Sequence, residues 1–204
     1  LVMDVGSTKS DVIEAAQQSL EGKLKCFVPA HPIAGKEVAG IEHADADLFT
    51  GRQVVLTPIK ATLRSNVQRA AQVWTSVGAH VSQMTHQAHD SAFAAVSHLP
   101  HLLAFAFMNG IATQPDGDTF LELAGPGFRD FTRIAAGDPT LWRDVLLANR
   151  EQVLRQSQFF RQALDELETM MRTDNVTDLE QAITAASQVR GEWRLGSSTE
   201  SPDA

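Results

Sequence analysis

Two features of the sequence predict a mixed fold, a small α/β sheet at the N-terminus followed by an all-α domain. Across residues 1–58 short strand-like runs alternate with a helix-like segment, the order that builds a parallel sheet. From residue 61 onward the apolar residues recur at helical spacing instead. A third feature concerns assembly. The helical part carries more apolar faces than one small layer can bury against itself, which predicts a bundle completed by a second copy of the chain, a homodimer.

The elements follow in order. Leu1–Val5 is a short apolar run closed by Gly6, and it reads as a strand already under way, so the chain is expected to begin inside a domain. Ser10 or Asp11 is placed to N-cap a helix containing Val12, Ile13, Ala15, Ala16 and Leu20. Cys26-Phe27-Val28 is strand-like, and Val54-Val55-Leu56 gives a third strand closed by Thr57-Pro58. Ligands of parallel sheets sit at the carboxyl ends of the strands, here Gly6-Ser7, His31-Pro32 and Thr57-Pro58. Val67, Ala70, Ala71, Trp74 and Val77 mark one helix face, stopped at Gly78. Residues 86–112 form a long apolar helical stretch with Pro100 as a kink or break. Asp138-Pro139 starts another helix. Val153, Phe160, Leu164, Leu167 and Met171 stripe a helix over about 150–172, and Thr177 with Glu180 resembles a capping box for the last one. Residues 191–204 read as a polar, disordered tail.

Composition narrows the function. Seventeen Lys and Arg stand against 25 Asp and Glu, a net charge of −8 that repels a phosphate backbone and argues against nucleic acid as a partner. The single Cys26 cannot form an intrachain disulfide and suits a reducing cytoplasm. The longest uninterrupted apolar run, Leu102–Met108, is too short to span a bilayer, so no membrane partner is expected.

Several residues could do chemistry. His31 lies at a strand end in HPIAGKE, where its ordinary pKa would let it act as a general base or merely hydrogen-bond locally. Ser7 in DVGSTK is a strand-to-helix hydroxyl, a cap or a ligand contact. His86, His89, His98 and His101 crowd into 16 residues with Asp90 beside His89, but their i, i+3 pairs lack the spacing and the glutamate of common zinc helices. They serve either a helix interface, a polar ligand or, least favoured, a metal. In GPGFRDFTRIA, Arg133 lies close to the apolar face of Phe128, Phe131, Ile134 and Ala135, and a partly buried guanidinium needs a carboxylate, from Asp130 or from a ligand. Arg129 is expected to face solvent.

DVGSTK, HPIAGKE, HD followed by SHLPH, and GPGFRDFTRIA followed by DPTLW, in that order, resemble the prephenate and arogenate dehydrogenase family of tyrosine biosynthesis, from residue 1 to about 190. The resemblance implies that residues 1–58 are the remnant of a Rossmann-type dinucleotide-binding domain, and that 59–190 bind substrate and dimerise. It implies NAD or NADP as cofactor and prephenate or arogenate as substrate. By the same resemblance His31 takes the proton of the substrate's ring hydroxyl, and Ser7 bridges that hydroxyl, the histidine and the nicotinamide. Arg133 and His101 bind substrate, Arg133 by taking a carboxylate in its guanidinium fork. Trp142 lines the pocket, and His98, Asp130 and Glu37 belong to the same substrate-binding set.

Two departures stand out. No G-x-G-x-x-G occurs in the 204 residues, and Lys36 occupies a position that is often a small hydroxyl residue in that family. The first leaves open a dimeric helical module that is inactive without a nucleotide-binding half.

Overall fold

The strands and helices are set by where apolar residues can be buried. The computed structural model describes residues 1–35 and 40–194. They form two compact units, Leu1–Gln156 and the segment from Ser157 onward. In the first unit, β1 (Val2–Met3) pairs in parallel with β2 (Phe27–Val28), joined through α1 (Ser10–Ser19). A second sheet has the order β3 (Ala30–Pro32), β4 (Gln53–Leu56), β5 (His80–Gln83). β4 and β5 are parallel, with α2 (Arg64–Ser76) as the crossover. Val28, Ala30, Val54 and Leu56 are fully buried against Val67, Ala70 and Trp74 of α2, and Phe49 meets Trp74 edge-on at 5.2 Å. Each such aliphatic side chain contributes about 1.5–3 kcal/mol by its burial. Gly78, at φ 82, ends the turn after α2 where a side chain would meet Thr50.

The sheet corrects two expectations. It is not wholly parallel: β3 runs antiparallel to β4, with His31 opposite Val55. Parallel strands need a crossover element, and among the described residues between Pro32 and Gln53 there is only the short 3-10 turn Ile41–His43. The start of β3, not its carboxyl end, therefore lies beside Leu56. β5 is a strand inside a stretch that reads as helical from residue 61 on.

The remaining helices of the first unit are α3 (His86–Phe93), α4 (Leu99–Ala112), α5 (Gly117–Glu122), α6 (Pro126–Thr132) and α7 (Pro139–Ala148), followed by the start of α8 (Arg150–Arg172). The 86–112 stretch is interrupted just before Pro100. A π-turn at Ala94–His98 joins α3 to α4 and puts Pro100 in the first turn of α4, where a missing N–H costs nothing. By length and mean hydropathy, 1.4 over its window, His86–Ala112 is long and apolar enough to cross a membrane, a property hidden when only the uninterrupted run 102–108 is considered. Its first half, however, is hydrogen-bonded to α1 and β3. α7 is capped as expected, Asp138 Oδ1 accepting from the Leu141 amide at 2.7 Å.

The second unit holds the rest of α8 and α9 (Val176–Glu192). Asn175, not Thr177, caps α9, accepting from the Asp178 amide, because the helix begins at Val176 and leaves Thr177 inside its first turn. Of the expected tail, residues 191–192 end α9, and 195–204 lie outside the described residues.

Candidate active site

Two histidines and an aspartate form a buried hydrogen-bonded chain at the centre of the first unit. His31, on β3, is 9% exposed, and its Nδ1 lies 2.8 Å from Nε2 of His89 on α3. His89 Nδ1 lies 2.8 Å from Asp90 Oδ1. Phe93, one turn on, packs against both imidazoles at 4.7 and 4.4 Å between centroids. Burial, reinforced by the neighbouring His89, Lys9 and His98, pushes the His31 pKa down to about 3, so the ring is neutral at physiological pH. Among the described residues His31 Nε2 has no hydrogen-bond partner.

Asp90 holds the region together. Its carboxylate accepts from the backbone amides of Lys9 and Ser10, at 3.0 and 2.9 Å, and from the Ser10 hydroxyl. Asp90, 80 residues away in sequence, thus caps α1, and neither Ser10 nor Asp11 does; Ser10 is already the first helical residue. Burial tends to raise the Asp90 pKa, but hydrogen bonds from His89, Ser10 and Lys9 outweigh it and hold the pKa at about 2. Lys9 is fully buried, its ammonium bonded to Asp4 and to the Ala30 carbonyl at 2.7 Å, immediately before His31. Burial lowers its pKa against the pull of Asp4.

His98, in the π-turn, is 1% exposed, and burial lowers its pKa to about 4 despite Asp90. Its Nδ1 lies 3.1 Å from Asn149 Nδ2, which also reaches the Asp90 carbonyl at 2.7 Å, while the His98 Nε2 is buried without a partner among the described residues. His101 stacks on Trp142 at 3.5 Å between centroids, and its Nδ1 donates to the Ser97 carbonyl at 2.9 Å. Burial lowers its pKa as well.

The sequence-derived residues thus fall into several groups. His31 belongs to the ring group of His89 and Phe93, His98, His101 and Trp142 form a second ring group, and Asp90 with Asn149 links the two. Ser7 sits half-buried in the turn before α1 with no hydrogen-bond partner among the described residues. Asp130 lies on α6 and Arg133 in the 3-10 turn that follows it, and both elements pack against α4. Asp130 pairs with Arg129 at 3.3 Å, both exposed, and Arg133 is exposed rather than partly buried. α6 ends at Thr132 and gives way to the tighter 3-10 turn Arg133–Ala136, in which Ile134 is half-buried and Arg133 exposed. Glu37 and Lys36 lie outside the described residues. Sequence reasoning noted Asp90 beside His89 without giving the pair a role, and missed Asn149 and Lys9 altogether. The one available signal was a His-Asp dipeptide inside an apolar helix. Among the described residues no three metal-ligating side chains converge, and the histidine cluster is spent on hydrogen bonds.

Comparison with known proteins gives the arrangement its family context. Residues 1–83 match the family described as prephenate dehydrogenase, nucleotide-binding domain, and residues 85–185 match prephenate dehydrogenase, dimerization domain. A prephenate dehydrogenase of Bacillus subtilis is 30% identical over 191 residues, 93% of this chain and 51% of the relative. The crystal structure of prephenate dehydrogenase from A. aeolicus in complex with hydroxyphenyl propionate and NAD+ is 36% identical, with a TM-score of 0.86 over 94% of this chain and 66% of that one. The Synechocystis arogenate dehydrogenase structure is 31% identical, with a TM-score of 0.82 over 95% of this chain and 69% of that one. The chain spans about half the length of the curated relative.

Proposed function

Because the chain belongs to the prephenate and arogenate dehydrogenase family, we propose that it carries the catalytic and substrate-binding portion of an NAD-dependent enzyme of tyrosine biosynthesis. The reaction is the oxidative decarboxylation of prephenate or arogenate. The observation that carries this reading is His31, a buried, neutral imidazole with one ring nitrogen engaged by His89 and the other without a partner among the described residues. Such a nitrogen can take the proton from the ring hydroxyl as the carbinol carbon gives up its hydride and becomes a carbonyl. Loss of the ring carboxylate as CO2 then aromatises the product without further help from the protein. When bound, NAD+ supplies the hydride acceptor.

The Ser7 hydroxyl, in the turn between β1 and α1 and without a hydrogen-bond partner among the described residues, meets the nicotinamide end of that cofactor, whereas no Gly-rich phosphate-binding loop lies in the 204 residues. We assign substrate binding to His98, His101 and Trp142, with the exposed Arg133 taking a carboxylate through its two-pronged guanidinium; Asp130 and Glu37 complete the set. A cytoplasmic location suits the lone Cys26. A purely helical binding module would leave the buried chain from His31 to Asp90 without a purpose.

The test is turnover of the chain joined to a Gly-rich dinucleotide-binding segment of a relative. Reduction of NAD+ dependent on prephenate or arogenate, with release of CO2, is expected. A folded protein that turns over neither substrate would overturn the reading.

A further inference from the structure

We infer that Asp90, through one arm ending in His89 and a second ending in Asn149, fixes complementary tautomers on two imidazoles, leaving His31 a bare acceptor nitrogen and His98 a bare donor N–H. The inference rests on the reading of His31 as the proton acceptor and makes His89, Asp90 and Asn149 positioning residues for it.

The first arm follows from what each atom can do. An ionised carboxylate only accepts, so the 2.8 Å contact between Asp90 Oδ1 and His89 Nδ1 requires the proton on His89 Nδ1. With that proton on Nδ1, the lone pair of singly protonated His89 lies on Nε2. The 2.8 Å contact from that atom to His31 Nδ1 requires His31 to donate. Neutral His31 is left with its lone pair on Nε2, the form that can accept a proton from a hydroxyl. When it does, the hydroxyl O–H bond breaks, an N–H bond forms at Nε2, and the imidazolium charge is held opposite the Asp90 carboxylate across His89.

The second arm gives the opposite result. Asn149 places a side-chain amide atom 2.7 Å from the Asp90 carbonyl oxygen. Two carbonyl oxygens cannot face each other at that distance, so the atom is Nδ2. Its second hydrogen goes to His98 Nδ1, 3.1 Å away, which must therefore carry a lone pair. The proton of neutral His98 then sits on Nε2, and that buried nitrogen has no partner among the described residues. A buried, unpaired donor calls for an oxygen acceptor from a ligand, a carbonyl or carboxylate. One residue thus sets an acceptor and a donor for a substrate that carries both a hydroxyl and acidic oxygens.

Spectra correlating ring nitrogens with carbon-bound ring protons, on the chain labelled with nitrogen-15 histidine at neutral pH, read the tautomers directly. The expected result is a protonated Nδ1 on His31 and a protonated Nε2 on His98; the reverse tautomer at either ring overturns the inference. His89→Phe keeps a ring against Phe93 but removes both nitrogens, and should release His31 from the pure Nδ1–H form while His98 stays unchanged. Asn149→Asp offers only acceptors, and should draw the proton of His98 to Nδ1 while His31 stays unchanged. In each variant the untouched arm reports that the fold is intact. Native tautomers at the targeted ring in both variants would also overturn the inference, and if neither variant folds the wild-type spectrum alone decides. No cofactor or substrate is needed, so wrong tautomers count against this inference, whereas correct tautomers without turnover count against the proposed reaction.

Discussion

His31 and His98 are held neutral by burial, with pKa values lowered to about 3 and about 4 from an ordinary 6.5. In the unfolded chain both would protonate near pH 6.5, so between that pH and about 4 the unfolded state binds more protons than the folded one. Stability from this source is therefore complete above pH 6.5 and is lost as the pH falls. Each ring should cost ~2 kcal/mol between pH 7 and pH 5, and melting temperatures across that range should drop for the native chain but less for His31→Asn. Equal slopes would contradict the account. For the same reason the rate should show no acid limb from His31 near its ordinary pKa, contrary to what the residue type alone suggests. Arg133 offers a contrasting case. As an exposed side chain its replacement by Ala should leave the melting temperature nearly unchanged and raise the substrate KM at least tenfold, the scale of a lost charge-assisted pair; a fall in stability with normal KM would remove it from the site. Residue type and motif order pointed to His31, His98, His101 and Trp142, whose rings are hydrogen-bonded or stacked in the fold. His89 and Asn149 were not legible, because their roles depend on which nitrogen faces which oxygen across nearly 60 residues of sequence.

Helices with local signals were read from sequence closely. The α8 stripe and the Asp138-Pro139 start are encoded within a few residues, so periodicity and capping suffice. The α1 cap and β5 were missed because their partners are distant. Asp90 supplies the cap from α3, and β5, with exposed His80 and Gln83 at its ends, owes its strand to pairing with β4. The turn before α7 carries a sharper constraint. A Cβ on Gly137 would lie 2.5 Å from Trp142 Nε1 and 2.7 Å from its Cδ1, although the backbone there suits any residue. Gly137→Ala should therefore displace the indole from its stack on His101. We expect a changed tryptophan emission and weakened substrate binding with secondary structure intact, and an unchanged emission would show that the stack does not depend on this close approach.

At the scale of the whole molecule, apolar side chains remain uncovered within each unit. Val96, Leu123, Leu141, Leu147 and Leu154 are exposed in the first, and Phe159, Met171, Val176 and Val189 in the second. Surfaces of this kind mark an association site, and residues 85–185 match a family described as a dimerization domain. We propose a homodimer, and sedimentation equilibrium at micromolar concentration should find twice the chain mass; a stable monomer would contradict it. The histidine at the end of the buried hydrogen-bonded chain remains the centre of the account. The most direct measurement is turnover by His31→Asn, in the chain joined to a dinucleotide-binding segment. The account predicts a kcat lowered about a hundredfold or more with little change in KM, the scale of a lost proton acceptor, and near-normal turnover by a correctly folded variant would contradict it.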